Sequence, residues 1–200
     1  MHTIKKSFFS LFFIFSSIDL ISQDIEEIIV KGNWRESKSI EQDSSIVILK
    51  NNILESQPVK HFENLSYLVP NLNFAASDSR ARHFQIRGIG ERSGYERTPN
   101  SAVGILIDDV DYSGQGGIAT TFDIDQVEVH RGPQGSRIGS NALAGLIYIK
   151  TKEPTPEYEG ITEITSGSYG TLNAGIAFGG PSAFNENLTY RLVLRKDYSD

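Results

Sequence analysis

The 200-residue chain carries 19 Lys and Arg against 25 Asp and Glu, a net charge of −6, and contains no Cys. The missing thiols exclude a disulfide framework, a Cys-ligated zinc, an iron–sulfur cluster and a thiol nucleophile, and the acidic balance argues against non-specific binding to nucleic acid. With 38% hydrophobic and 10% aromatic residues, the chain holds enough apolar material for one packed domain or slightly more.

Residues 1–22, MHTIKKSFFSLFFIFSSIDLIS, place Lys5 and Lys6 before an apolar run from Phe8 to Phe15 and a Ser-containing exit. This is the build of a secretory signal peptide. The apolar run is too short for a spanning helix, which needs about 20 residues; an uncleaved N-terminal anchor is the alternative. Removal takes away Lys5, Lys6 and Asp19 and leaves a net charge of −7.

DIEEIIVKG follows, with the β-branched and apolar Ile28, Ile29 and Val30 between Glu26, Glu27 and Lys31. Such a segment favours an extended backbone and suits strand addition to another protein's sheet edge, or serves equally as the first strand of the domain. NWRESKSIEQ has no period and reads as a linker. Further on, Phe62, Leu65, Leu68 and Val69 recur at helical spacing until Pro70, which predicts a short helix over about 59–68.

The alternation of Phe84 and Ile86 with Gln85 and Arg87 predicts a strand ending at Gly88, and VGILIDDV a buried strand. If these two pair antiparallel, the loops at 75–83 and 111–121 share one end. Asp78, Arg80, Arg82, His83, Tyr112 and Gln115 would then form a polar and aromatic binding surface, or merely two solvated neighbouring loops. DQVEVHRG and GLIYIKT alternate as strands, separated by GPQGSRIGSNALAG, which requires tight turns or a very short helix.

After Pro154 and Pro156, Leu172, Ala174, Ile176 and Phe178 alternate with Asn173, Gly175, Ala177 and Gly179. Leu188, Tyr190, Leu192 and Leu194 likewise alternate with polar or smaller residues. Runs of this kind read as transmembrane β-strands; a pair of strands in a soluble sandwich has the same period.

Catalytic motifs fail on inspection. RGIGERSG lacks the spacing of a dinucleotide fingerprint, and GPQGSRIGS lacks the lysine of a phosphate loop. Ser136 and Ser140 stand outside a nucleophile elbow. His61, His83 and His130 fall on separate elements, and Asp108, Asp109 and Asp111 do not follow the calcium-loop pattern. The expectation is a protein that is not an enzyme, with no cofactor and no metal site.

In order, IEEIIVKG, FQIRGIG, VGILIDDV, FDIDQVEVHRGPQG and GSNALAGLIYIKTKEP resemble the motifs of the TonB-dependent receptors of the bacterial outer membrane. The resemblance implies an α+β plug domain, a small four-stranded mixed β-sheet with short helices, followed by the first antiparallel strands of a transmembrane β-barrel that is incomplete in this chain. The implied division is a signal peptide at 1–22, a TonB box and linker at 23–45, the plug at 46–152 and the first barrel strands at 157–200. It implies that Ile25, Glu26, Glu27, Ile28, Ile29 and Val30 bind the TonB C-terminal domain from the periplasm. It further implies that Arg87, Gly88, Glu128, Arg131 and Gly132 make plug–barrel contacts, with Glu128 a local partner of the arginines.

The remaining implied partners are outer-membrane lipid and a scarce nutrient, with a ferric siderophore as the default. Twenty-two strands need on the order of 200 residues, whereas 44 follow Pro156. A fragment or truncated reading frame is therefore expected, and a barrel-less plug-like periplasmic binding module is the alternative. Asp109 stands where the family carries a glycine with positive φ, so the turn after Asp108 is expected to differ.

Overall fold

The computed structural model describes residues 28–31, 37–38, 45–56, 61–76, 80–93, 95, 99–115, 119–168 and 170–198. The signal segment, Ile25, Glu26, Glu27, most of the linker and Asp78 lie outside the described residues.

In chain order the strands are β1 (Ile29–Val30), β2 (Ser37–Lys38), β3 (Ile46–Lys50), β4 (Leu72–Ala76), β5 (Ala81–Ile86), β6 (Val103–Ile107), β7 (Val110–Asp111), β8 (Ile124–His130), β9 (Gly145–Thr151), β10 (Glu159–Ser166), β11 (Leu172–Ser182) and β12 (Asn185–Tyr198). The helices are α1 (Asn51–Ser56), a 3-10 helix over Phe62–Tyr67, and α2 (Gly135–Ile138).

The central sheet has the order β3-β8-β9-β6-β7. Its pairs are antiparallel except β6 with β9, which run parallel. It is the mixed sheet expected, widened to five strands by the two-residue β7. On one face Leu49, Val127, Val129, Ile147, Ile149 and Ile105 join Phe62, Leu65 and Phe84 in the main core. Phe62 and Phe84 meet edge to face with centroids 5.5 Å apart, a geometry that suits the ring quadrupoles. The opposite face carries a smaller apolar cluster of Leu106, Ala142, Leu146 and Tyr148, and beside it the polar Gln126, Glu128 and His130 of β8, all buried.

Two expectations are corrected. The predicted helix is a 3-10 helix limited to Phe62–Tyr67 within the described residues. Strands β5 and β6 do not pair: β5 lies antiparallel to β4, with Phe74 opposite Phe84, and β6 lies between β9 and β7. A strand with two faces to bury takes the partner whose register its loop permits, and the short 77–80 connection favours β4.

The turn at Asp108 and Asp109 takes positive φ at both residues, 45° and 69°. Aspartate enters this region more readily than most side chains. Asp108 also ties the turn to β9, accepting from the Thr151 hydroxyl at 2.6 Å and the Thr151 amide at 3.2 Å. Glycine is strictly required at Gly145, where a Cβ would strike the His130 carbonyl and the Ile86 side chain.

The last sheet, β10-β11-β12, is a three-stranded antiparallel meander. Along β11 exposed Leu172, Ala174, Ile176 and Phe178 alternate with buried Asn173, Gly175, Ala177 and Gly179, so the predicted alternation holds. Strand β10 was not singled out by sequence. Its Glu159 and Glu163 share a face with Gly179 and Gly175 of β11, and β12 adds Arg191 and Arg195 to that face. One side of the meander is thus apolar, and the other is mostly small and charged, with Ile161 and Val193 flanking Ala177.

Truncating Phe84 to Ala is expected to lower stability by roughly 3–5 kcal/mol in urea unfolding. Tyr67→Ala, at an exposed position, should change it by less than about 0.5 kcal/mol.

Candidate functional site

Strand β8 alternates between its two neighbourhoods. Its apolar Val127 and Val129 fill the core, so Gln126, Glu128 and His130 must face the other way. A carboxylate at zero exposure is costly unless its lone pairs are occupied. Here the Lys31 amide donates to Glu128 Oε1 at 2.5 Å and Gln126 Nε2 donates to the same oxygen at 2.6 Å. His130 Nε2 lies 2.9 Å from Oε2, within hydrogen-bonding distance.

The N-terminal segment is held through this group. Gln126 Nε2 also donates to the Ile29 carbonyl at 3.1 Å, and Lys31 Nζ meets Asp125 at 3.0 Å. Val30 is fully buried, whereas Ile28 and Ile29 remain more than a third exposed. A cleft of about 440 Å³ lined in part by Ile29, Lys31, Lys50 and Asp125 opens beside the segment. The geometry therefore presents a short extended strand, apolar on its exposed side, fastened to the sheet by a buried carboxylate.

The other expected site residues are dispersed. Arg87 and Gly88 form a tight turn with φ of 54° and 78°, and the Arg87 side chain is exposed. The Arg131 amide donates to the Ser45 carbonyl at 2.8 Å, and its Nε is buried without a hydrogen bond among the described residues. Among the described residues, Glu128 meets the Lys31 amide, Gln126 and His130. Gln126 and His130 are not among the expected site residues; the signal available is a polar residue at every second position of a strand whose intervening residues are apolar.

The loops around Arg82 and Gly114 do meet, although their strands do not pair: Arg82 Nε donates to the Gly114 carbonyl at 3.2 Å. Gln115 is exposed there, while Tyr112 packs against the core and His83 is buried, with Nδ1 3.9 Å from Glu91. Arg80 turns away to Asp197 of β12 at 3.5 Å. Of the expected binding surface, the half-buried Arg82 and the exposed Gln115 remain together.

Beside Arg80, burial and then the arginine's positive charge hold the His61 imidazole below its usual 6.5. The folded chain therefore binds fewer protons there than the unfolded chain, and stability declines as pH falls below about 6.5. Replacing His61 by Gln is expected to flatten that decline in thermal melts between pH 7 and 5. Glu128→Ala strands three partners and should cost on the order of 1–3 kcal/mol. The same change should speed hydrogen exchange at 29–31 more than in β9.

A family model described as TonB-dependent Receptor Plug Domain matches residues 38–146. Among curated proteins, the ferripyoverdine receptor of Pseudomonas aeruginosa is 26% identical over 125 residues, 62% of this chain and 15% of that protein. The pesticin receptor of Yersinia pestis is 29% identical over 102 residues, 50% of this chain and 15% of that protein. The chain thus spans about 15% of the length of these curated relatives. Among solved structures, the ferric yersiniabactin uptake receptor of Yersinia pestis superposes with a TM-score of 0.62 at 25% identity, covering 71% of this chain and 22% of that one. The pyoverdine outer membrane receptor of Pseudomonas aeruginosa gives 0.68 at 20% identity, covering 82% and 23%. The mixed sheet, its short helices and the match across more than half of the sequence make this chain a member of the TonB-dependent receptor plug domain family.

Proposed function

We propose that the chain is the N-terminal part of an outer-membrane receptor that imports a scarce nutrient, with a ferric siderophore as the substrate class. In this reading residues 1–22 direct export, 23–45 hold the TonB box and linker, 46–152 are the plug and 157–200 begin the barrel wall. The observation that carries it is the β10–β12 meander. Its outer row of Leu172, Ile176, Leu188, Leu192 and Leu194 is exposed, while its inner row is mostly small or charged, with Ile161 and Val193 among it, and meets the plug at Phe122 and Asp123. A stand-alone binding module has no use for an apolar outer row, which would promote aggregation, whereas lipid requires it. The curated relatives named for ferripyoverdine and pesticin support a receptor, and ferripyoverdine and ferric yersiniabactin in the relatives' names support an iron-chelate cargo.

The outer membrane has no nucleotide supply, so uphill import draws force through a physical link. Ile25 to Val30 add as a strand to the TonB C-terminal domain in the periplasm. For Val30 and the carbonyl of Ile29 that pairing replaces the contacts to β8, so coupling and docking compete for one segment. Substrate reaches the opposite end, where the half-buried Arg82 at the start of β5 and the exposed Gln115 lie close together. The protein performs no chemistry on its cargo.

Ile28→Pro removes a ladder donor. It is expected to reduce uptake of the cognate ferric siderophore by cells carrying the full-length receptor to background, with binding of the siderophore to those cells unchanged. Loss of binding would overturn the assignment of roles. Binding without any uptake by the unmutated receptor would overturn transport.

A further inference from the structure

The contact between the plug and β12 is built differently from the arginine-on-plug arrangement implied by Arg87 and Arg131. Asp123, the residue before β8, has a side chain only 1% exposed and faces Arg191 of β12, itself 6% exposed. Arg191 Nε donates to Asp123 Oδ2 and Nη2 to Oδ1, both at 2.6 Å. The remaining guanidinium nitrogen, Nη1, donates to Glu159 of β10 at 2.6 Å. The planar fork of arginine is thus matched to one carboxylate from the plug and a second from the neighbouring wall strand.

The preceding residue completes the contact. Phe122 is 6% exposed. Its ring lies against the backbone of Gly175 in β11, where a Cβ would come within 3.0–3.1 Å of ring carbons. The Arg195 guanidinium stands over the same ring, 5.6 Å from its centroid, a favourable cation–π placement. An aromatic knob, a glycine seat and a bidentate ion pair therefore coincide at one step of the plug backbone. That step has a left-handed Asp123, φ 59°, which aims the carboxylate out of the sheet.

We propose that Phe122 and Asp123 are the plug's retention site, an interaction surface fitted to the inner face of β11 and β12 that keeps the domain seated against the wall and the lumen closed. The inference rests on the reading of β10–β12 as barrel wall. A buried Asp123 deprived of Arg191 is left desolvated and without its ion pair, and Arg191 deprived of Asp123 keeps only the half-exposed Glu159, losses far more damaging than that of an exposed pair. The seat is therefore expected to respond as a unit to removal of either charge.

Hydrogen exchange read by mass spectrometry on the full-length protein in detergent micelles tests this. Asp123→Asn keeps a residue that tolerates the left-handed backbone, and Arg191→Met keeps the length of the side chain. Each single variant is expected to accelerate exchange in peptides covering 119–123 and 173–179 together, by on the order of 100-fold, and to leave β9 unchanged. The double variant should exchange no faster than either single one, because no buried charge is left unpaired and Glu159 is half exposed to solvent. Gly175→Leu retains both charges but drives a branched side chain at the Phe122 ring, and should give the same joint acceleration. In planar bilayers the same variants should raise ion leakage relative to the unmutated protein.

Acceleration confined to one side of the contact, unchanged exchange in the single variants, or a double variant at the product of the two single effects would overturn the retention site. Failure of the unmutated protein to migrate as a heat-modifiable barrel on gels would instead overturn the receptor reading on which it rests.

Discussion

The two-residue alternation of β8 is the constraint from which the other features follow. This strand is paired antiparallel on both sides, to β3 and β9, so its register is fixed by two ladders at once. Val127 and Val129 on one side close the core, while Gln126, Glu128 and His130 on the other receive the N-terminal segment. A slip of one residue would send a carboxylate and an imidazole into the hydrocarbon interior, and the penalty for burying them unpaired exceeds what a domain of this size can absorb. The polar face thus specifies the register as firmly as the apolar one.

The attachments made along and beside β8 differ in kind. At its middle the N-terminal segment is fastened by an amide-to-carboxylate bond, one buried valine and a Lys31–Asp125 pair that is partly open to water. Pairs open to solvent contribute little, so this segment can leave without dismantling the core. Just ahead of β8 the ion pair is enclosed and two-pronged. In the proposed receptor, a domain that yields at one end and holds at another is well served by bonds of unequal strength along and just ahead of one strand.

Much of the sheet was legible because short strands with a strict period announce themselves: DQVEVH and GLIYIKT coincide with β8 and β9 almost to the residue, and the brief helix expected in GPQGSRIGSNALAG is α2. The pairing of β5 was not legible, since alternation tells a strand which faces it has and not which neighbour it joins. Strand β10 escaped for a related reason. Its Ile161 shares a face with Glu159 and Glu163, so its apolar residues do not line up on one side and the pattern is weak by itself. The helix near 62–67 tightened to 3-10 geometry, where the Leu68 amide bonds to the Leu65 carbonyl at 3.0 Å, because Pro70 leaves too little chain for a sustained α-helical ladder.

The contact with the β10–β12 meander was the least legible of all, for Asp123 and Arg191 are 68 positions apart and nothing local marks either as a partner of the other. The same holds for Phe122 and Gly175, yet their fit leaves a trace of another kind. The ring occupies the volume that the wall residue gives up by having no side chain, so the two positions share a fixed allotment of space. Across descendants of this chain, bulk gained at one should be surrendered at the other, and a drift that enlarges both at once is closed to the lineage.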